Sequence, residues 1–321
     1  MKDSMKSILV TGGAGFIGSN LIDTLLKNPD YQITCLDNFD PFYNPQIKRN
    51  NIATHLKKSN FKFIEADIRN FANMKSKLGK HYDTIIHLAA KVGVKPSLKE
   101  PQLYTDININ GTQNLLEIAR QLDCKKFIFG SSSSVYGINA NTPWNEEDHV
   151  LKPISPYAST KISGELLGHV YSHLYDIQFI GLRFFSVYGP RQRPDLVIHK
   201  FTKSILENKS IELYGNGKTK RDYTYIYDIV TGIISALDYS HTQYEIINLG
   251  NNESVELATL LKLLEKALGK TAKIKRLPEQ PGDVSITFAD ISKAKKLLRY
   301  QPKTTLEDGI KKFIDWYMSN N

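Results

Sequence analysis

The sequence predicts an α/β protein: a Rossmann-like, doubly wound parallel sheet with a smaller C-terminal mixed α/β lobe. Three observations carry this. Apolar runs of strand length alternate with helix-patterned segments as far as Phe184. Those runs are continuous rather than alternating with polar residues, as strands covered on both faces must be. A glycine-rich turn at Gly12–Gly18 joins the first strand to the first helix, where a doubly wound sheet holds a nucleotide.

The predicted strands are Ser7–Thr11, Gln32–Leu36, Phe61–Ile64, Thr84–Leu88, Lys126–Phe129 and Ile177–Phe184. Helices are expected at Phe16–Lys27, Phe71–Leu78, Gln102–Leu122 and Pro156–Tyr175. Such repetition argues a parallel sheet, because parallel neighbours need a crossover between them. The aromatic, proline-containing and then basic stretch Asn38–Lys58 reads as a loop with a short helix. After Gly189 the segments become shorter and mixed. Helical patterns at Leu196–Glu207, Asp228–Ser240, Ser254–Leu268, Ser292–Leu298 and Leu306–Met318 alternate with extended runs at Ile211–Tyr214 and Tyr244–Leu249. Residues 1–189 are therefore expected to form the cofactor domain, with 226–250 returning to it and 190–321 forming most of the substrate lobe.

Composition excludes several classes. The 321 residues are 41% hydrophobic and 23% charged, which is globular rather than disordered or fibrous. The net charge of +9 favours an anionic partner. Its basic residues are dispersed, however, with no RNP or helix-turn-helix signature, so nucleic acid is not expected. Cys35 and Cys124 are too few for a cysteine-held metal and read as buried thiols in a reducing compartment; no metal is expected. No apolar run approaches the ~18 residues of a membrane span. The apolar start breaks at Gly12-Gly13, against a signal peptide, so a cytoplasmic location is expected.

The turn reads either as G-x-G-x-x-G at Gly13, Gly15 and Gly18 or as G-x-x-G-x-x-G at Gly12, Gly15 and Gly18. Either lets a pyrophosphate approach the backbone at a helix N-terminus, here opened by Phe16 and Ile17. Asp37 ends the second strand. A carboxylate there accepts hydrogen bonds from a ribose diol and repels a 2′-phosphate. With no basic pair evident nearby, that favours NAD over NADP. Tyr157 and Lys161 are four residues apart in a helical segment and share a face. An ammonium beside a phenol favours the phenolate, making a usable base. The serine run Ser131–Ser134 follows a strand, at the edge where ligand groups gather.

These residues resemble a family, the extended short-chain dehydrogenase/reductases of nucleotide-sugar metabolism. The likeness covers nearly the whole chain. It rests on TGGAGFIG at Thr11–Gly18, LDN at Leu36–Asn38, ADI at Ala66–Ile68, HLAA at His87–Ala90, NINGTQNLLE at Asn108–Glu117, SSVYG at Ser133–Gly137 and YASTK at Tyr157–Lys161. RFFSVYGPRQRPD at Arg183–Asp195, RDYTYI at Arg221–Ile226 and PGDV at Pro281–Val284 extend it. The resemblance implies that Asp67 and Ile68 flank the adenine, that Asn38, Leu88, Ala89, Ala90 and Asn108 line the cofactor, and that Lys161 holds the nicotinamide ribose. It makes Tyr157 the acid/base and Ser132 its hydroxyl partner. It places Arg221 and Asp283 on the nucleotide diphosphate and ribose.

Absent acids select the reaction. Sugar 4,6-dehydratases of the family carry an Asp-Glu pair, and UDP-glucuronate decarboxylases a Glu, just before V-Y-G; this chain has Ser133 and Ser134. What remains is 4-epimerisation: oxidation of C4 with NAD, rotation of the 4-keto sugar and re-reduction. The similarity is greatest to UDP-glucuronate 4-epimerases, converting UDP-glucuronate to UDP-galacturonate. Ser132, Ser133, Ser134 and Ser186 could donate to the sugar carboxylate, with Arg193 its charged partner. Two departures, Ser186 for the family's frequent Thr and Lys95 for its frequent Arg, leave UDP-glucose and UDP-N-acetylglucosamine as alternatives, and an NAD(P)-dependent reductase as a further one. Tyr214 could neighbour the uracil. The resemblance also suggests a homodimer through Gln102–Leu122 and Pro156–Tyr175, whose apolar faces would equally suit the sheet. Phe39, Phe42 and Tyr43 suit either the adenosine or a loop minicore. His87 reads as a satisfied core histidine.

Overall fold

The computed structural model describes residues 5–148, 152–215, 217–278 and 284–320. In chain order, β1 (Lys6–Thr11), α1 (Phe16–Leu25), β2 (Tyr31–Asp37), α2 (Pro45–Ala53), β3 (Phe61–Glu65), α3 (Phe71–Lys77) and β4 (Thr84–His87) build the first half of the sheet. Then come α4 (Val94–Lys99), α5 (Pro101–Thr105), a π-helical turn (Asp106–Asn110), α6 (Gly111–Gln121), β5 (Lys126–Ser132), α7 (Pro156–Tyr175) and β6 (Gln178–Phe184). The rest holds β7 (Ser186–Tyr188), α8 (Val197–Leu206), β8 (Ser210–Tyr214), β9 (Lys220–Arg221), β10 (Tyr223–Tyr225), α9 (Ile226–Asp238), β11 (Tyr244–Leu249), β12 (Val255–Glu256), α10 (Leu257–Leu268), β13 (Lys273–Leu277), α11 (Ser292–Leu298) and α12 (Leu306–Asn320).

Seven strands form one sheet in the order β11-β6-β5-β4-β1-β2-β3, and every pairing is parallel. Successive strand residues face opposite layers. Ile8 and Val10 point into one core with Ile22, Ile229 and Ile233 of α1 and α9; Leu9 points into the other with Leu115, Leu116 and Tyr171 of α6 and α7. The strand order reverses between β1 and β4, so the crevice above their carboxyl ends is the topological switch point. Segment 226–250 supplies α9 and the edge strand β11. Three two-stranded pairs, β10-β7, β12-β9 and β13-β8, belong to the lobe. No helix among the described residues is long and apolar enough to cross a membrane.

Two expected helices are interrupted. Gln102–Leu122 is split by the π turn at Asp106–Asn110, an irregularity that recurs at functional sites. There the Asn108 side chain bonds both the Lys91 N–H (2.8 Å) and its carbonyl (2.9 Å). Ser254–Leu268 starts late, because Val255 and Glu256 pair with Arg221 and Lys220 as strand. His87 is a satisfied core residue: its two ring nitrogens meet Thr11 (2.8 Å) and Thr112 (3.0 Å). Both cysteines are buried and free.

Candidate active site

A cavity of about 580 Å³ opens above the switch point, walled by β1, β2, β4 and β5 on one side and by 184–197, Arg221 and Tyr223 on the other. Gly12, Gly15 and Gly18 line it and Gly13 does not, which selects the second spacing of the turn. Gly12 has φ +68°, and a Cβ there would lie 2.7 Å from the Ala89 nitrogen. A Cβ on Gly18 would lie 2.3 Å from the Gly12 carbonyl oxygen. Gly13 instead packs inward on Cys35 and Ile22. Gly15 caps α1 with no side-chain hydrogen bond, so the first helical N–H groups face the cavity without a side-chain acceptor.

Asp37 lies at the far end of the same wall. Its carboxylate accepts from the Ala14 N–H (3.2 Å) and the Phe39 N–H (2.9 Å). Burial raises its pKa against the pull of Lys48 and these two N–H groups. Lys48 corrects one expectation: a basic group does stand near Asp37, its Nζ 3.9 Å from the carboxylate. The folding of α2 back over β2 brings it there across 11 positions of sequence. Asn38 donates to Asp67 (3.0 Å), whose carboxylate is also held by Arg69. Burial pushes the Asp67 pKa up, but the Arg69 hydrogen bonds outweigh it and the net shift is down. Ile68, Phe16, Ile17, Leu88, Ala89 and Ala90 complete the lining of this end. Asn108 is absent from it. It sits behind, holding the Lys91 backbone and donating to Thr160 (3.0 Å). A glycine cradle, an uncapped helix start and an acid at the end of β2 together fit a dinucleotide with a free adenosine 2′-hydroxyl.

The reactive groups lie at the carboxyl end of β5 and the start of α7. Pro156 at the first helical turn and the Ser155 hydroxyl, accepting from the Ala158 N–H (3.1 Å), fix where α7 begins. That places Tyr157 and Lys161 on the cavity. Tyr157 stands beside Ser132; burial raises its pKa, while the Ser132 hydroxyl and the positive charge of Arg193 pull it down. Lys161 is anchored on β5 rather than on the Tyr157 hydroxyl. Its Nζ donates to the Gly130 carbonyl (2.7 Å) and stands 5.9 Å from the centre of the Tyr157 ring. Burial lowers the Lys161 pKa to about 8 against the opposing attraction of Glu165. The cation favouring a Tyr157 phenolate in this arrangement is Arg193.

Ser132, Ser133, Ser134, Ser186, Arg193 and Arg221 all line the cavity. Ser134 donates to the Ser132 Oγ through its N–H (3.2 Å) and its hydroxyl (3.0 Å). Lys95 and Tyr214 do not line it; they meet each other, with the Lys95 ammonium 4.8 Å from the Tyr214 ring centre. Asp283 falls outside the described residues. Sequence reasoning missed three charged groups in the wall, Asp195, Lys91 and Asp40. Asp195 holds Arg193 through two hydrogen bonds (2.9 and 2.8 Å). Lys91 pairs with Asp40 (3.1 Å). Phe42 lies between the Lys91 ammonium (5.1 Å) and the Arg193 guanidinium (5.7 Å), which with Tyr43 settles those two aromatics on the cavity. Phe39 goes instead to the core against Phe63. Only the R-x-D spacing of Arg193 and Asp195 was a signal available in advance.

The comparisons with known proteins agree with this geometry. A family model described as GDP-mannose 4,6 dehydratase matches residues 9–313. A UDP-glucuronate 4-epimerase of Thermodesulfobacterium geofontis is 41% identical over 314 residues, 97% of this chain and 96% of that protein. The crystal structure of UDP-glucuronic acid 4-epimerase from Bacillus cereus, in complex with UDP-glucuronic acid and NAD, matches with a TM-score of 0.91 at 40% identity, over 98% of this chain and 100% of that one. UDP-glucose 4-epimerase from Thermotoga maritima, with UDP-glucose, matches with a TM-score of 0.89 at 32% identity, over 98% and 99%. The family model's description names a dehydratase; the resemblance puts carboxyl groups in such enzymes where this chain has Ser133 and Ser134. The chain belongs to the extended short-chain dehydrogenase/reductases, in their branch of NAD-dependent nucleotide-sugar epimerases.

Proposed function

We propose that the chain interconverts UDP-glucuronate and UDP-galacturonate by epimerisation at C4. The observation carrying the choice of sugar is the wall beside Tyr157: four serine hydroxyls, Ser132, Ser133, Ser134 and Ser186, with the Arg193 guanidinium. This set of donors suits a sugar carboxylate better than a neutral hydroxymethyl group.

Gly12, Gly15 and the N–H groups of Phe16 and Ile17 would hold the NAD pyrophosphate. Asp37 would take the adenosine ribose, Asp67 and Ile68 the adenine edge, and Tyr157 with Lys161 the nicotinamide ribose. NAD, when bound, supplies the reversible two-electron acceptor. The chain's own residues handle the proton and the geometry. Tyr157 takes the proton from the sugar O4 and later returns it. Ser132 shares that hydrogen bond, and the Arg193 charge favours the phenolate. Arg221 would anchor the diphosphate, so that the 4-keto sugar can turn over without leaving.

The 4-keto form of a glucuronate is a β-keto acid and can lose CO₂. Serine hydroxyls that keep its carboxylate near the mean plane of the ring misalign the breaking bond with the ketone. Among the described residues of this wall, Asp195 has both oxygens engaged by Arg193 and Asp40 is paired with Lys91.

The outer face of α7 exposes Leu166 (58%), Val170 (46%) and Leu174 (60%) at successive helical turns. A second copy of the chain packing along this stripe gives the homodimer. Leu166→Glu should then yield a monomer in light scattering. Purified protein incubated with UDP-glucuronate, UDP-glucose or UDP-N-acetylglucosamine, with products followed by NMR, tests the substrate. Turnover of UDP-glucose with none of UDP-glucuronate would overturn the choice.

A further inference from the structure

Behind the reactive groups lies a buried ion pair that the proton chemistry does not use. Glu165 follows Tyr157 and Lys161 at the same four-residue spacing, so the three share one face of α7. It is 5% exposed and its partner Arg183 is 7% exposed. The pair is bidentate, with Arg183 Nε on Oε1 at 2.9 Å and Nη2 on Oε2 at 2.8 Å. Oε1 also accepts from the Ser131 hydroxyl at 2.6 Å. Ser131 and Arg183 are register partners on neighbouring strands. One carboxylate thus ties α7 to the ends of both β5 and β6.

The order of residues on β5 gives this tie a chemical consequence. Gly130 accepts from Lys161, Ser131 donates to Glu165, and Ser132 stands beside Tyr157. Three neighbouring residues of β5 thus meet three side chains from one face of α7, with Glu165 holding the middle one. A slip between strand and helix would disturb the Tyr157–Ser132 contact and the Lys161 anchor together.

Charge points the same way. The described groups facing Lys161 are Tyr157 and Glu165 on its own helix and His87 from β4, which full burial and the Lys161 charge keep neutral. From β5 come only the Gly130 carbonyl and the Phe129 ring. Tyr104 of α5 faces Tyr157 rather than Lys161, and Arg183 reaches the cluster through Glu165. Glu165 is the one anion in this set.

We propose that Glu165 is a positioning residue for the epimerisation: it holds α7 in register on β5 and β6 and keeps Lys161 and Tyr157 set against the end of β5. This rests on the epimerase reading above. If wild-type protein turns over no UDP-sugar, that reading fails first; if it does, the variants below judge Glu165 alone.

Three variants separate positioning from simple bracing. Glu165→Gln removes the charge at nearly constant shape. Glu165→Met with Arg183→Leu removes the whole pair and refills its space, an exchange that commonly leaves stability intact. Ser131→Ala loses only the link to β5 and disturbs packing least. Positioning predicts a kcat reduced by up to about 100-fold in the two acid variants, as for small misplacements of reacting groups, with KM nearly unchanged. The paired variant should keep the wild-type melting temperature yet remain slow. Ser131→Ala should fall between it and wild type. In cofactor-free protein, the pH at which Lys161 becomes half-reactive to acetylation, read by peptide mass spectrometry, should drop by about one unit in Glu165→Gln. Wild-type kcat in the paired variant or in Ser131→Ala overturns the proposal. So does a Glu165→Gln protein that melts earlier while its kcat and Lys161 titration stay unchanged.

Discussion

At the cofactor end the cavity wall is largely backbone. Gly12, Gly15 and Gly18 leave no room for side chains, and the start of α1 offers its N–H groups directly. At the sugar end the wall is side chains, Ser132–Ser134, Ser186, Arg193 and Arg221, drawn from four separate stretches of chain. The first end depends on what a few residues lack, the second on what many residues carry. A backbone cradle holds the same ligand across many proteins, whereas a side-chain wall can be altered one residue at a time. This fits a chain related both to enzymes named for UDP-glucuronate and to one named for UDP-glucose.

The largest expected effect divides the two ends. Tyr157→Phe removes the proton acceptor and should lower epimerisation by about 10³-fold, within the range for general acid–base groups. NAD extracted from the purified variant should stay at the wild-type level. Loss of NAD in parallel would mean that the glycine turn, Asp37 and Lys161 do not hold the cofactor without the Tyr157 hydroxyl, and the division would fail. Gly18→Ala attacks the other end. Its Cβ would meet the Gly12 carbonyl at 2.3 Å, and displacing that loop should weaken NAD retention by about 10-fold or more, as overpacking of a tight site does. Added NAD should restore part of the activity.

Arg193→Met sharpens the sugar end itself. Losing a charge-assisted contact is worth about 1.5–3 kcal/mol, or a KM for UDP-glucuronate raised about 10–100-fold. Any activity on UDP-glucose should change far less. An equal loss on both sugars would shift the role of Arg193 from the carboxylate to the Tyr157 phenolate, which it also faces.

The same contrast governs what could be read in advance. The glycine turn, Asp37 and the Tyr157/Lys161 pair were legible because local geometry fixes them: a tight turn, a strand end, one helical face. The seven-strand sheet was legible because buried strands must be apolar throughout. The contacts Asp40–Lys91, Phe42–Arg193 and Lys48–Asp37 were not, because they form between side chains that only the folded loops bring together. Glu165 and Arg183 looked like ordinary charges in a helix and a strand; nothing in their own spacing marks a pair. Lys95 was placed by its motif and Tyr214 as a neighbour of the uracil, and the fold turns them toward each other instead of the cavity. Asn108 was placed on the cofactor, and the π turn puts it one layer behind.

The smallest predicted effects also have opposite signs in the two halves. Burial holds His87, in the sheet, at a pKa of about 3, below the 6.5 of an unfolded histidine. The unfolded chain then binds the extra proton, so stability is lost as pH falls below about 6.5. Asp222, in the lobe, accepts from the N–H groups of Asn251 (2.7 Å) and Ala289 (3.2 Å) and from the Thr224 hydroxyl (3.0 Å). Burial still raises its pKa to about 6. Here the folded chain binds the extra proton, so stability is lost as pH rises from about 4 through 6. Between pH 4 and 6 the two contributions oppose each other. His87→Gln keeps an amide donor and acceptor for Thr11 and Thr112, and should flatten the fall in melting temperature from pH 7 to 4. Asp222→Asn should steepen that fall, whatever it costs at neutral pH, since one acid-favoured contribution is gone. The slope of melting temperature against pH is the measurement. A His87→Gln slope equal to wild type would mean that His87 contributes nothing to the acid sensitivity of the sheet, and this contrast with Asp222 would fail.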